Sequence, residues 1–183
     1  MEQTAYKMPS SVRFICVFTL PGIMLRSILK LMFCRLLRAD VLKIAYMENR
    51  PPYGYVEYRL PESRARIVML ICLPILAQSL IAAIVAACAY IPLFVIINYN
   101  PLRVIPLYFA FAIGANAFPS RREADILWRL FYEKEKNVML KAVGIPFAAL
   151  IWTLTMGDFL WLNCFYGAAL VWFIPYALTF LPV

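Results

Sequence analysis

The chain has 183 residues, 64% of them hydrophobic, with mean hydropathy +0.76 and formal net charge +8. A soluble domain is nearer half apolar, and the basic residues here flank apolar runs, so lipid headgroups and membrane orientation explain them and nucleic acid is not an expected partner. Histidine is absent and the five cysteines form no C-x-x-C pair, which removes imidazole metal chemistry, His-held haem and a disulfide framework.

The expected fold class is all-α transmembrane, a single polytopic domain over 1–183. It has about five membrane helices, roughly 13–37, 67–97, 104–118, 138–156 and 159–181, because these apolar runs approach or exceed the ~20 residues that cross a bilayer. The first carries Pro21-Gly22 as a kink or break, then Arg26 and Lys30 inside LPGIMLRSILKLMFCRLL. Residues four apart share one helix face. A cation there costs roughly 2.5–3.5 kcal/mol on insertion scales and so needs an acceptor. Lys30 can snorkel toward Arg35 through its methylenes. Arg26 is too deep for that and needs backbone carbonyls near Pro21, Asn116, a carboxylate such as Glu123, or an acid on a partner.

The segment 38–66 is polar and basic. VLKIAYME and YGYVEYRL flank Asn49-Arg50-Pro51-Pro52, and the period-two pattern of Tyr53, Tyr55 and Glu57 predicts a small β-hairpin at the membrane surface. The uncharged run 67–97 contains Pro74, Pro92, Gln78 and Ser79. The two polar side chains there suit interhelical hydrogen bonds. Ser120 followed three residues later by Glu123 is a capping-box pattern. It opens an amphipathic interfacial helix with Leu127, Leu130 and Phe131 on one side. Lys141 opens the fourth apolar run, and Gly157-Asp158 turns into the fifth.

Charge orients these spans. Arg35 to Arg66 holds seven Lys or Arg and Arg121 to Lys141 holds six, against one in Asn98 to Arg103. Excess Lys and Arg mark the cytoplasmic side. The loops 38–66 and 119–141 are therefore expected to be cytoplasmic, in a cytoplasmic (inner) membrane, with the lipid bilayer and other integral membrane subunits as partners.

Several motifs then resemble one family. Pro21-Gly22 with its helix, Gly54-Tyr55-Val56-Glu57, Pro74 in the second span, and Ala117-Phe118-Pro119-Ser120 with Leu127-Trp128 are similar to small integral-membrane zinc metallopeptidases related to the site-two protease group. The resemblance covers about Leu20 to Trp128. It implies that the P-G-x-x-L-H-E-x-x-H helix of that family corresponds to Leu20–Leu37, and there this chain departs from it. Arg26 stands at the first zinc histidine, Ser27 at the general-base glutamate, Lys30 at the second histidine, and Asn116 where histidine often precedes A-F-P-S. Two imidazoles and a carboxylate make that helix catalytic, whereas two cations repel zinc. The resemblance thus implies a catalytically inactive relative, with no metal and no cofactor, serving as a structural or accessory subunit of a membrane complex. The alternative is a transporter or channel component in which Arg26 and Lys30 line an ion or proton path. A Ser27–Lys30 dyad and a Glu123–Asp125 carboxylate pair are weaker readings. Helix-dipole complementation suits the two acids better.

Overall fold

The computed structural model describes residues 17–45, 54–89, 104–133, 138–156 and 162–179. The stretches 13–16, 49–52, 90–103 and 157–161, on which parts of the expected spans and turns fall, lie outside the described residues. The described chain is mostly helical: α1 (Leu20–Leu36), β1 (Val41–Ala45), β2 (Tyr55–Tyr58), α2 (Arg64–Cys88), α3 (Val104–Gly114), α4 (Arg121–Tyr132), α5 (Val138–Met156) and α6 (Leu162–Thr179).

Pro21 sits in the first turn of α1. There its missing N–H costs nothing and its fixed φ favours the helix; Val17 and Phe18 are helical and Thr19 is a turn, so the helix breaks just before Pro21 and α1 starts anew there. Gly22 is required by contact. A Cβ at that position would lie 1.9 Å from the Ala112 carbonyl oxygen of α3, so only glycine lets the two backbones approach this closely. α1 ends at Arg38, which adopts φ 54°. Ala39 N–H donates to the Cys34 carbonyl at 2.8 Å and Arg38 N–H to the Arg35 carbonyl at 3.1 Å. This is the Schellman arrangement, with arginine where glycine is usual. It turns the chain sharply into β1.

β1 and β2 pair antiparallel, with Val41 opposite Tyr58, Ile44 opposite Val56 and Ala45 opposite Tyr55, and with an irregularity between Val41 and Lys43. Val56 and Tyr58 are two residues apart and share a strand face. Val56 packs with Cys34 and Leu70, and Tyr58 packs at the edge of the same cluster. The predicted hairpin is thus fixed to α1 and α2 by its own apolar face.

α3 packs against α1, α2 and α6. Gln78 of α2 ties this group together by donating through Nε2 to the Gly22 carbonyl at 3.2 Å and the Ile113 carbonyl at 3.0 Å. Ser79 accepts from the Tyr166 hydroxyl at 2.8 Å. Both polar residues of α2 are therefore interhelical hydrogen-bonders. A second layer forms where Leu127 and Leu130 of α4 meet Ala148 and Ile151 of α5 and Ile67 and Ile71 of α2. The apolar stripe of α4, expected to lie on lipid, is covered by protein.

The expected span 138–156 coincides with α5, whereas other expected spans differ from the observed helices. α2 is the one described helix both long and apolar enough to cross a membrane. It runs 25 residues, about 37 Å at 1.5 Å each, with Pro74 accommodated inside it. α3 stops at Gly114 after 11 residues, about 16 Å, because a turn follows in which Asn116 N–H bonds to Ile113 and Ala117 N–H to Gly114. The helix in 104–118 is thus about half a span, buried at its C-terminal end (Ala110, Ala112, Ile113) and exposed at Val104, Ile105 and Phe109. α1 is interrupted by Arg26, Lys30 and Arg35.

Arg38→Gly relieves the left-handed strain of a side-chain-bearing residue, a cost of roughly 1 kcal/mol. The variant is expected to unfold at higher temperature than the parent protein in a thermal melt, with unchanged helix content by circular dichroism.

Candidate functional site

The sequence places Arg26 and Lys30 one turn apart on α1, and the fold brings the start of α4 against that face. Ser120 caps α4. Its backbone N–H donates to Glu123 Oε2 at 2.9 Å, and its hydroxyl donates to the same oxygen at 2.9 Å. That capping box aims the Glu123 carboxylate back toward α1. The Lys30 ammonium forms an ion pair with Oε1, and the Arg26 guanidinium reaches Oε2 at 3.5 Å. The Tyr58 hydroxyl, brought in by β2, donates to Oε1 at 3.0 Å. The Lys30 ammonium also lies 5.2 Å from the Tyr58 ring centroid.

One carboxylate therefore serves two cations, a phenol and a helix cap. The Glu123 side chain is only 7% exposed and that of Lys30 12%, while Arg26 keeps 26%. Burial opposes ionisation of Glu123, but the Lys30 ammonium and then the Arg26 guanidinium, with hydrogen bonds from Lys30 and Ser120, outweigh it and hold the carboxyl at about 2. Burial first, and the neighbouring carboxylate second, push the Tyr58 hydroxyl well above its ordinary value, so it remains a donor. A permanently ionised carboxylate whose oxygens are both occupied is neither a general acid nor a free general base near neutral pH.

The other sequence-selected residues are placed differently. Ser27 is buried and donates to the Ile23 carbonyl at 3.1 Å. Its proton is thus committed to the backbone and the Lys30 ammonium to Glu123, so the geometry of a serine–lysine dyad is not formed. Asn116 donates through Nδ2 to the Ala112 carbonyl at 2.9 Å and the Thr19 carbonyl at 3.3 Å. It tethers the start of α1 to α3. Asp125 accepts from the Trp152 indole N–H at 3.0 Å, which joins α4 to α5, so Asp125 and Glu123 do not work as a pair. Lys30 does not snorkel outward, because Glu123 supplies a nearer acceptor. Tyr58 and Ser120 complete the cluster without having been singled out for it. The period-two strand and the capping-box pattern were their only sequence signals.

Among the described residues no group of three Cys, Asp or Glu is placed to hold a metal ion. Arg26, Lys30 and Asn116 do not suit zinc either, since each presents a cation or an amide N–H donor. Beside the cluster lies a cleft of about 310 Å³, between α1, β2 and the start of α4.

Comparison with protein-family models, with curated proteins and with solved structures finds no match to this chain.

Removing the shared acceptor strands two cations. Glu123→Gln is expected to cost about 3–5 kcal/mol, the range for breaking one side of a buried charge pair. Arg26→Leu, which leaves Lys30 and Glu123 paired, should cost less than half as much. Denaturant unfolding of both variants in the same detergent checks the order.

The acid dependence follows from the lowered carboxyl. An unfolded glutamate titrates near ~4.3 and Glu123 in the folded chain at about 2. Its stabilisation is therefore complete above the unfolded value and is lost as pH falls through the folded one. The stability gap between the parent protein and Glu123→Gln should stay flat from pH 8 to pH 5 and narrow below about pH 4.

Proposed function

We propose that this chain is a catalytically inactive relative of the small integral-membrane zinc metallopeptidases, acting as a structural or accessory subunit of a membrane protein complex. The observation that carries the reading is the Arg26–Glu123–Lys30 cluster. On the alignment implied by the resemblance, it occupies the place of the H-E-x-x-H site. An ion cluster closed by Tyr58 and Ser120 satisfies the helix faces that a metal centre would otherwise join, without offering a ligand, a base or a nucleophile. The transporter alternative is weaker, because both cations are paired with one buried carboxylate.

The setting is proposed to be a bilayer crossed about five times, with the loops 38–66 and 119–141 on the cytoplasmic side of the inner membrane. α2 is long and apolar enough to cross. Its outward side carries Met69, Leu76, Leu80 and Ile84, all exposed, at spacings of seven and four that form one apolar stripe. α5 and α6 expose Met139, Val143, Trp172 and Phe173, with Trp172 81% exposed. Such surfaces mark membrane or subunit contact. The short or charged helices complete their crossings with the protein around them.

Two measurements test this. Protein purified gently in detergent is expected to hold no stoichiometric zinc or iron and to co-migrate with a stable partner. One tightly bound metal per chain, lost on mutating α1, would sink the inactive-relative reading. For orientation, a single cysteine at the exposed position Arg59 should resist an impermeant thiol reagent on intact cells, and rapid labelling would overturn the proposed sidedness.

A further inference from the structure

The ion cluster does not balance. Arg26 and Lys30 share one carboxylate, and Arg122 on the first turn of α4 adds a third cation to the rim of the cleft. Against these three stand Glu123 and Glu57, which leaves the lining one positive charge in excess. A partly desolvated excess charge is costly and attracts a counter-ion. The donors for one are present. Among the described residues Arg26 has only its 3.5 Å contact with Glu123, so most of the five N–H groups of its guanidinium remain unspent. Arg122 is exposed and forms no ion pair with a described residue. The first-turn N–H of Arg122 has no partner within the helix, and the helix dipole favours negative charge there. The lining also includes the apolar side chains of Val56, Leu60 and Ile126.

We propose that this cleft binds one phosphate-type oxyanion, held by Arg26 and Arg122, with the apolar lining residues against the rest of the ligand. A volume of about 310 Å³ falls at the small end of ligand sites, enough for a headgroup and not for a folded partner. Guanidinium is the group best suited to phosphate oxygens. An anionic phospholipid of the cytoplasmic leaflet is the source favoured by the apolar lining residues and by the membrane setting proposed above. Free phosphate shares the same chemistry. The inference rests on the membrane part of that reading only. Finding zinc on α1 would defeat the inactive-relative reading while leaving the anion response to be read separately.

The test uses the full chain in a neutral detergent, with thermal midpoints followed as dihexanoyl phosphatidylglycerol, dihexanoyl phosphatidylcholine or inorganic phosphate is added. The expected result is a saturable rise with the phosphatidylglycerol, little with the zwitterionic lipid, and an apparent affinity about tenfold weaker in Arg122→Gln, whose ligand-free midpoint matches the parent. Arg26→Gln should lose the response more completely. If its ligand-free fold is impaired, Arg122→Gln alone decides. Saturation by inorganic phosphate at equal or lower concentration supports the site and assigns the free anion as its source. No saturable response to either anion, or an equal response to the zwitterionic lipid, overturns the proposal. A response unchanged in Arg122→Gln overturns it as well.

Discussion

A single buried carboxylate must satisfy two cations that the sequence places inside an apolar helix, and much of the packing around α1 follows from that. Glu123 is supplied by the cap of α4, so the start of α4 must sit against the middle of α1. Tyr58 reaches the same carboxylate from β2, so the hairpin must pack beside α1 and the start of α4. Three separate segments are thus held in register by one side chain. Such a cluster adds little net stability compared with apolar packing. We read its role as specifying one docking arrangement among surfaces that are otherwise greasy and interchangeable.

The same logic recurs wherever polar atoms enter the apolar bundle. Gln78 is fully buried, and its amide N–H groups go to carbonyls of α1 and α3. Asn116 uses its amide to join the start of α1 to α3. Both act at the point where Gly22 allows the backbones to touch. In an apolar medium, where burial itself discriminates weakly between helix pairs, hydrogen bonds and close backbone contact decide which helices meet.

Some of this was legible in the sequence. The helical spacing of Arg26 and Lys30, the period-two strand around Val56 and the Ser120–Glu123 cap are local patterns, and local physics decides them. Glu123 stood among several candidate acceptors for Arg26. Choosing it required the distance between α1 and α4, which no local pattern contains. The length of the third apolar helix was misjudged for a related reason. The apolar run 104–118 does not reveal that its helix stops at Gly114, since hydrophobicity continues through Ala115, Ala117 and Phe118 while the backbone turns. The left-handed Arg38 carries no glycine signal at all, and the apolar stripe of α4 does not say whether lipid or α5 covers it.

The central claim is that Arg26, Lys30 and Glu123 form one interdependent structural unit. The direct measurement is the unfolding free energy of the triple variant Arg26→Leu, Lys30→Met, Glu123→Leu beside its three single variants. The account predicts strong non-additivity, with the triple variant less destabilised than loss of the carboxylate alone, because no stranded charge remains. A triple variant whose cost equals the sum of the singles would show three independent residues and contradict it.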